Sequence, residues 1–233
     1  MKFTHYTALA ALAVTLGSNS ALAADASSAA PAQGQSTASK DFGKLSTDGA
    51  KAFRDLRMAR VAIFDGQIDK AKGFAQNAQT DFNKAKTDDT IFTKAEADLK
   101  PGPGMKQAAA TDEKPNTSAV AWIPVDGQMV LGEDYVATPE KAASVDKANT
   151  QIAKGNKTEA LETLKIADID VYFVEDVAPL DTTIGGVDKA VQLISDGHYY
   201  EANQALKAVE DGMRVDSDVL TLTPDKVAAT KKS

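Results

Sequence analysis

His198, flanked by Tyr199 and Tyr200, is the one side chain outside the extreme N-terminus whose ordinary proton affinity suits acid–base work near neutral pH. It directly follows Gly197, a position where polar turn residues are common, and reads as a solvated turn histidine rather than a catalytic one. Carboxylates offer the next chemistry: Asp168 and Asp170, Glu175 and Asp176, then Glu210, Asp211, Asp216 and Asp218. None follows the calcium-loop pattern, in which acids at alternate positions precede a Gly and a bidentate Glu closes the loop. They read as solvated helix ends and loops. The chain has no Cys, which removes disulfides, thiolate metal sites and thiol nucleophiles. No Ser occupies a G-x-S-x-G elbow, and Pro101-Gly102-Pro103-Gly104 lacks the Lys-Ser/Thr of a phosphate loop. A carboxylate-only glycosidase is disfavoured by the single Trp. The sequence therefore assigns no catalytic residue, no metal ligand and no cofactor. The remaining candidates for contact with a partner or ligand are aromatic: Trp122, Tyr135, Tyr172 and Phe173 around predicted β segments, and Tyr199 and Tyr200. Their bland alternative is the core beneath those segments.

The elements that would position these residues are set by a repeat. When Gly66, Gly155 and Gly197 are aligned, apolar residues fall in register on both sides. Leu56, Val145 and Val187 precede the glycines; so do Ala59, Ala148 and Ala190, then Ile63, Ile152 and Ile194. Ala71, Ala160 and Ala202 follow, then Ala75, Leu164 and Leu206, Ala78, Ala167 and Val209, and finally Phe82, Val171 and Met213. Steps of three and four mark one face of a helix. The Gly falls where a helix C-terminus takes a left-handed residue. Each window predicts a helix, a tight turn and a second helix. Gly197-His198-Tyr199-Tyr200-Glu201-Ala202 resembles the joint of a tetratricopeptide repeat, but the glycines are too unevenly spaced for a solenoid. A bundle of three helix-turn-helix hairpins is the expectation.

Between the first two hairpins the pattern turns to β. Ala119–Val125 is β-branched and aromatic, Asp126-Gly127 is a hairpin dipeptide, and Gln128–Leu131 is apolar again. This predicts a two-stranded hairpin with Pro124 on an edge. Ile169–Val177 could add a strand. Thr138-Pro139-Glu140 reads as an N-cap, a first-turn proline and an acid at the positive end of a helix. The fold class is mainly α with a small antiparallel β insert.

Lys2, the apolar stretch Ala8–Leu16 and Ala21-Leu22-Ala23 describe a secretory signal peptide over 1–23, cleaved after Ala23. No later run approaches the ~18 apolar residues of a membrane span. Residues 24–40 read as a disordered leader, 41–222 as one helical domain containing a loop at 100–118 and the β insert at 119–137, and 223–233 as a flexible tail. The formal charge is −7, and removing 1–23 takes away Lys2 and no acid. Such a chain repels nucleic acid and anionic headgroups.

Two stretches carry a family likeness. Glu133-Asp134-Tyr135-Val136-Ala137-Thr138-Pro139-Glu140-Lys141, and Tyr199-Tyr200-Glu201-Ala202-Asn203-Gln204-Ala205-Leu206-Lys207 continuing to Glu210-Asp211-Gly212, resemble the YfdX family of proteobacteria. The resemblance covers roughly residues 44–220. It implies a mostly helical, homo-oligomeric protein of the periplasm, connected with acid or envelope stress through chaperone-like or small-molecule-binding roles. It carries over no catalytic residue. Two functions follow as expectations. One is a non-enzymatic stress protein that holds partner or client chains, with acid as a trigger. The other is a periplasmic binder of small molecules.

Overall fold

The computed structural model describes residues 11–12, 43–105 and 117–221. The leader 24–40, the tail 223–233, most of the signal segment and residues 106–116 of the 100–118 loop lie outside the described residues. In chain order the elements are β1 (Ala11–Leu12), α1 (Thr47–Phe64), α2 (Ile68–Ala85), β2 (Phe92–Ala95), a 3₁₀ turn (Glu96–Asp98), β3 (Ala119–Leu131), α3 (Pro139–Ala153), α4 (Lys157–Ile166), β4 (Val171–Pro179), α5 (Leu180–Ser195), α6 (Tyr199–Asp211) and β5 (Arg214–Thr221).

The three glycine turns form as the repeat predicts. Gly66, Gly155 and Gly197 have φ of 68°, 84° and 81°. Their N–H groups donate to Ile63, Ile152 and Ile194 at 3.1, 2.8 and 3.2 Å, and the N–H of the next residue donates one position further back, to Ala62, Gln151 and Leu193. This is the Schellman closure of a helix, in which a left-handed residue lets two amides satisfy the last carbonyls. The repeated alanines are fully buried at both aligned positions: Ala59, Ala148 and Ala190 before the turn, Ala71, Ala160 and Ala202 after it. Small side chains there let the two helices of each hairpin approach closely.

The chain divides into two compact units. One, made of Lys44–Gly127 and Val174–Ser217, contains the first and third hairpins. Here α1 packs on α2, α5 on α6, α2 on α5 and α1 on α6, a four-helix arrangement. Its core joins Phe53, Leu56, Phe82, Val187, Ile194 and Leu206, and Phe53 meets Phe82 edge-to-face at 5.2 Å. Each such large side chain contributes about 1.5–3 kcal/mol by leaving water. The second hairpin, α3 and α4, belongs to the other unit, Gln128–Phe173 with the terminal segments Met1–Gly43 and Asp218–Ser233. The common bundle expected of all three hairpins thus narrows to a four-helix arrangement of two.

The sheet has the order β1-β3-β4-β5, with β2 also on β3. The expected two-stranded hairpin is not formed. Ala119–Leu131 is one continuous strand through Asp126-Gly127, because its partners come from elsewhere in the chain. β2 pairs antiparallel along Ala119–Trp122 and β1 at Met129 and Val130. Gly127 keeps no positive φ, and its N–H donates to the Asp126 carboxylate at 2.8 Å, so the pair serves no turn. Nor does Pro124 mark an edge strand. β3 lies between β4 and the short strands β1 and β2; Pro124 falls outside the residues paired with those two short strands, and its carbonyl accepts the Ser46 N–H at 2.9 Å. Ser46 then caps α1, accepting the Gly49 N–H at 2.8 Å. Thr138 caps α3 with Pro139 in the first turn, as read from the sequence.

Candidate functional site

The four-helix unit presents its largest exposed apolar side chains at one end of α1 and α6. The core face of α1 uses Ala52, Leu56, Ala59 and Ile63. Between those residues on the outer side lie Met58, Val61 and Phe64, which are 42, 51 and 89% exposed. The two helices run antiparallel. Arg57 pairs with Glu210 at 3.2 Å, and Arg60 pairs with the same carboxylate and donates to the Asn203 side chain at 3.1 Å. One further turn of this register brings Phe64 level with the start of α6. There Tyr199 is 37% and Tyr200 72% exposed. Two of the six aromatic candidates thus belong to an apolar surface. Phe64, Val61 and Met58 carry no chemical signature in the sequence; the available signal is that they fall off the register of the buried face.

The other aromatic candidates are core or half-buried. Trp122 is 2% exposed, packs with Leu99 and Val177, and donates its indole N–H to the Lys94 carbonyl at 2.9 Å. Phe173 is buried, while Tyr135 and Tyr172 are half-buried in the unit of the second hairpin. Trp122 and these three therefore belong to separate units.

His198 stands at the N-cap of α6 without a side-chain capping bond and is exposed. Glu210, Asp211 and Asp216 are taken up in structural ion pairs. Asp216 accepts two bonds from the Lys94 ammonium, at 2.6 and 2.9 Å, and one from the Lys100 N–H at 2.9 Å. Asp211 is bound by Lys207, one turn earlier. Asp168 has φ 58° at the C-terminus of α4, where its carbonyl accepts from Lys141 at 2.9 Å. Among the described residues, no three His, Cys, Asp or Glu side chains are placed to hold one metal ion.

Asp81 escaped the sequence reading. It is 2% exposed on α2, with Lys51 at 2.7 Å and Lys84 at 2.8 Å. Burial pushes its carboxyl up, but hydrogen bonds and charge from the two lysines outweigh that and hold it below the ordinary range. Asp176 on β4 is shifted the other way, first by burial and then by the charge of Asp126, with Arg57 opposing. In the unit of the second hairpin, an open concavity of about 360 Å³ is lined by Glu140, Lys141, Ser144, Lys147, Thr163, Ala167 and the 87% exposed Ile166.

Helical hairpins closed by Schellman glycines, one small sheet, and an exposed surface of apolar rather than reactive groups define a mainly helical protein with an antiparallel β component. The chain belongs to the YfdX family, whose model, described as YfdX protein, matches residues 52–219. It is 35% identical over 177 residues to Protein YfdX of Escherichia coli (strain K12), covering 76% of each chain. A solved structure of Salmonella Typhi YfdX is similar, with a TM-score of 0.55 and 28% identity. The likeness covers 76% of this chain and 93% of that one. No helix among the described residues is long and apolar enough to cross a membrane.

Proposed function

We propose that this chain is a periplasmic, non-enzymatic stress protein that holds partner or client chains on its helical surfaces and responds to acid. The observation that carries the reading is the exposed apolar surface of Met58, Val61 and Phe64 on α1 with Tyr199 and Tyr200 on α6. Scattered apolar residues are ordinary on a surface, but Met58, Val61 and Phe64 follow one another at steps of three along α1, and apolar residues grouped beside charge mark an interaction site. Arg57, Arg60 and Glu210 supply that rim. The basic start, short apolar run and Ala21-Leu22-Ala23 support export. Acid sensitivity has a physical basis in the excess of carboxylates, 33 against 26 Lys and Arg, and in structural pairs such as Asp81 with Lys51 and Lys84. Light scattering and apolar-dye binding from pH 7 to 4 test the acid response. A change in mass or a rise in dye uptake is expected, and unchanged mass with no dye uptake counts against it.

Small-molecule binding is the second reading. It draws support from the concavity at Lys141 and Lys147 rather than from the aromatic β segments, where Trp122 and Phe173 are buried. Two ammonium groups against the single Glu140 carboxylate, beside exposed Ile166, leave a net positive lining that suits an anionic amphiphile. Such a ligand, bound by the native state alone, raises the melting temperature in a thermal-shift screen.

A further inference from the structure

The face of α1 opposite the core holds four residues in a self-matching order. Arg54, Met58, Val61 and Asp65 fall within a stripe roughly 60° wide, given about 100° of rotation per residue. All four are exposed. Read along the helix, the order is cation, apolar, apolar, anion, and the steps are the same from either end. A second α1 turned end over end onto the first therefore lays Arg54 on Asp65 and Met58 on Val61. A twofold axis repeats both pairs with one register, the requirement of an isologous interface.

The two charges are left unpaired by the described residues. Lys51, Arg57 and Arg60 of the same helix are engaged by Asp81 and Glu210. Arg54 and Asp65 have no ion-pair partner among the described residues. Asp65 is also the C-cap of α1, where an anion meets the negative end of the helix dipole, and the last turn holds no basic residue to offset it. An arginine arriving from another molecule satisfies that end. Because the chain as a whole carries −7, two copies meet only where local charges complement each other.

We infer that this stripe seats a second copy of the chain, as an antiparallel α1–α1 pair. Met58 packs on Val61 of the partner subunit at the centre, and Arg54 meets Asp65 of the partner subunit at each end. The pairing takes Met58 and Val61 from the surface proposed above for partner chains and leaves Phe64, Tyr199 and Tyr200 for them.

Charge reversal tests it, read as mass by sedimentation over a concentration series, with circular dichroism to confirm folding. Arg54→Asp places like charges at both ends, and so does Asp65→Arg. Each is expected to weaken association at least tenfold. The double variant Arg54→Asp/Asp65→Arg restores opposite pairs and is expected to recover association. Because the chain has no Cys, a Met58→Cys/Val61→Cys variant gives a second test. Mild oxidation is expected to yield a covalent dimer. A monomeric wild type, single variants with wild-type mass, a double variant no better than the singles, or no covalent dimer each overturns the pairing. Client protection measured on the wild type separates the two claims: a wild type that associates through this stripe but protects no client counts against the proposed function and not against this interface.

Discussion

Gly66, Gly155 and Gly197 have positive φ, and a Cβ added at any of them meets nothing within 4 Å. Replacement by Ala therefore reports backbone strain alone. Each Gly→Ala substitution is expected to cost about 1–2 kcal/mol in urea unfolding, with Asn costing less because it tolerates the left-handed region. Gly186 differs, since its added Cβ would strike Val209 across the α5–α6 contact, so its loss reports packing. The two shifted carboxyls of the four-helix unit divide in their response to acid. Asp81 is held below its ordinary 3.8, so its contribution is complete above that value and fades as pH falls through the lower folded one. Asp176 is held above 3.8, so the folded state binds its proton more tightly and its ionisation costs stability at neutral pH. Asp176→Asn is expected to melt higher than the wild type at pH 7, with the gap closing on acidification. A gap that widens toward acid contradicts the assignment.

The helices were legible because their face repeats every three or four residues and their turns need Gly; of the strands, β3 and β4 were legible as β-branched and aromatic runs over Ala119–Leu131 and Ile169–Val177, but their pairing was not, because the partners lie far off in sequence. β5 reads R-V-D-S-D-V-L-T, and its inward positions Arg214 and Asp216 are charged, which hides the alternation of a half-buried strand. Those charges are tolerated because β2 and the following 3₁₀ turn supply Lys94 for Asp216, and Glu96 for Arg214 at 2.5 Å. In β3, Asp126-Gly127 has the chemistry of a turn, but partners on both sides hold it extended. Trp122 was read as a candidate for contact, and what decides its burial is Leu99 and Val177, from segments remote in sequence. The exposed surface at Phe64 went unread for the converse reason, since a sequence does not mark a large apolar residue that nothing covers. The Lys94–Asp216 pair gives the prediction at this scale. Lys94→Met leaves a buried carboxylate short of its cation and is expected to cost about 2 kcal/mol. Adding Asp216→Leu removes the orphaned charge and is expected to recover much of that loss, as replacing a whole buried pair often does. Denaturant midpoints of the two variants check it, and a double variant weaker than the single contradicts it.

For the molecule as a whole, the two units divide the features between them. The unit of the first and third hairpins has the exposed surface of α1 and α6, and the unit of the second has the concavity beside Lys147. Family membership accounts for residues 52–219, which includes all three glycine turns. The proposed partner-holding role depends on the exposed aromatics, whose truncation leaves the core untouched. The most direct measurement is suppression of acid-driven aggregation of a client protein, comparing wild type with Phe64→Ser/Tyr200→Ser of equal stability. The account predicts that the wild type suppresses aggregation and the double variant loses most of that protection. Equal protection by both, or none by either, contradicts it.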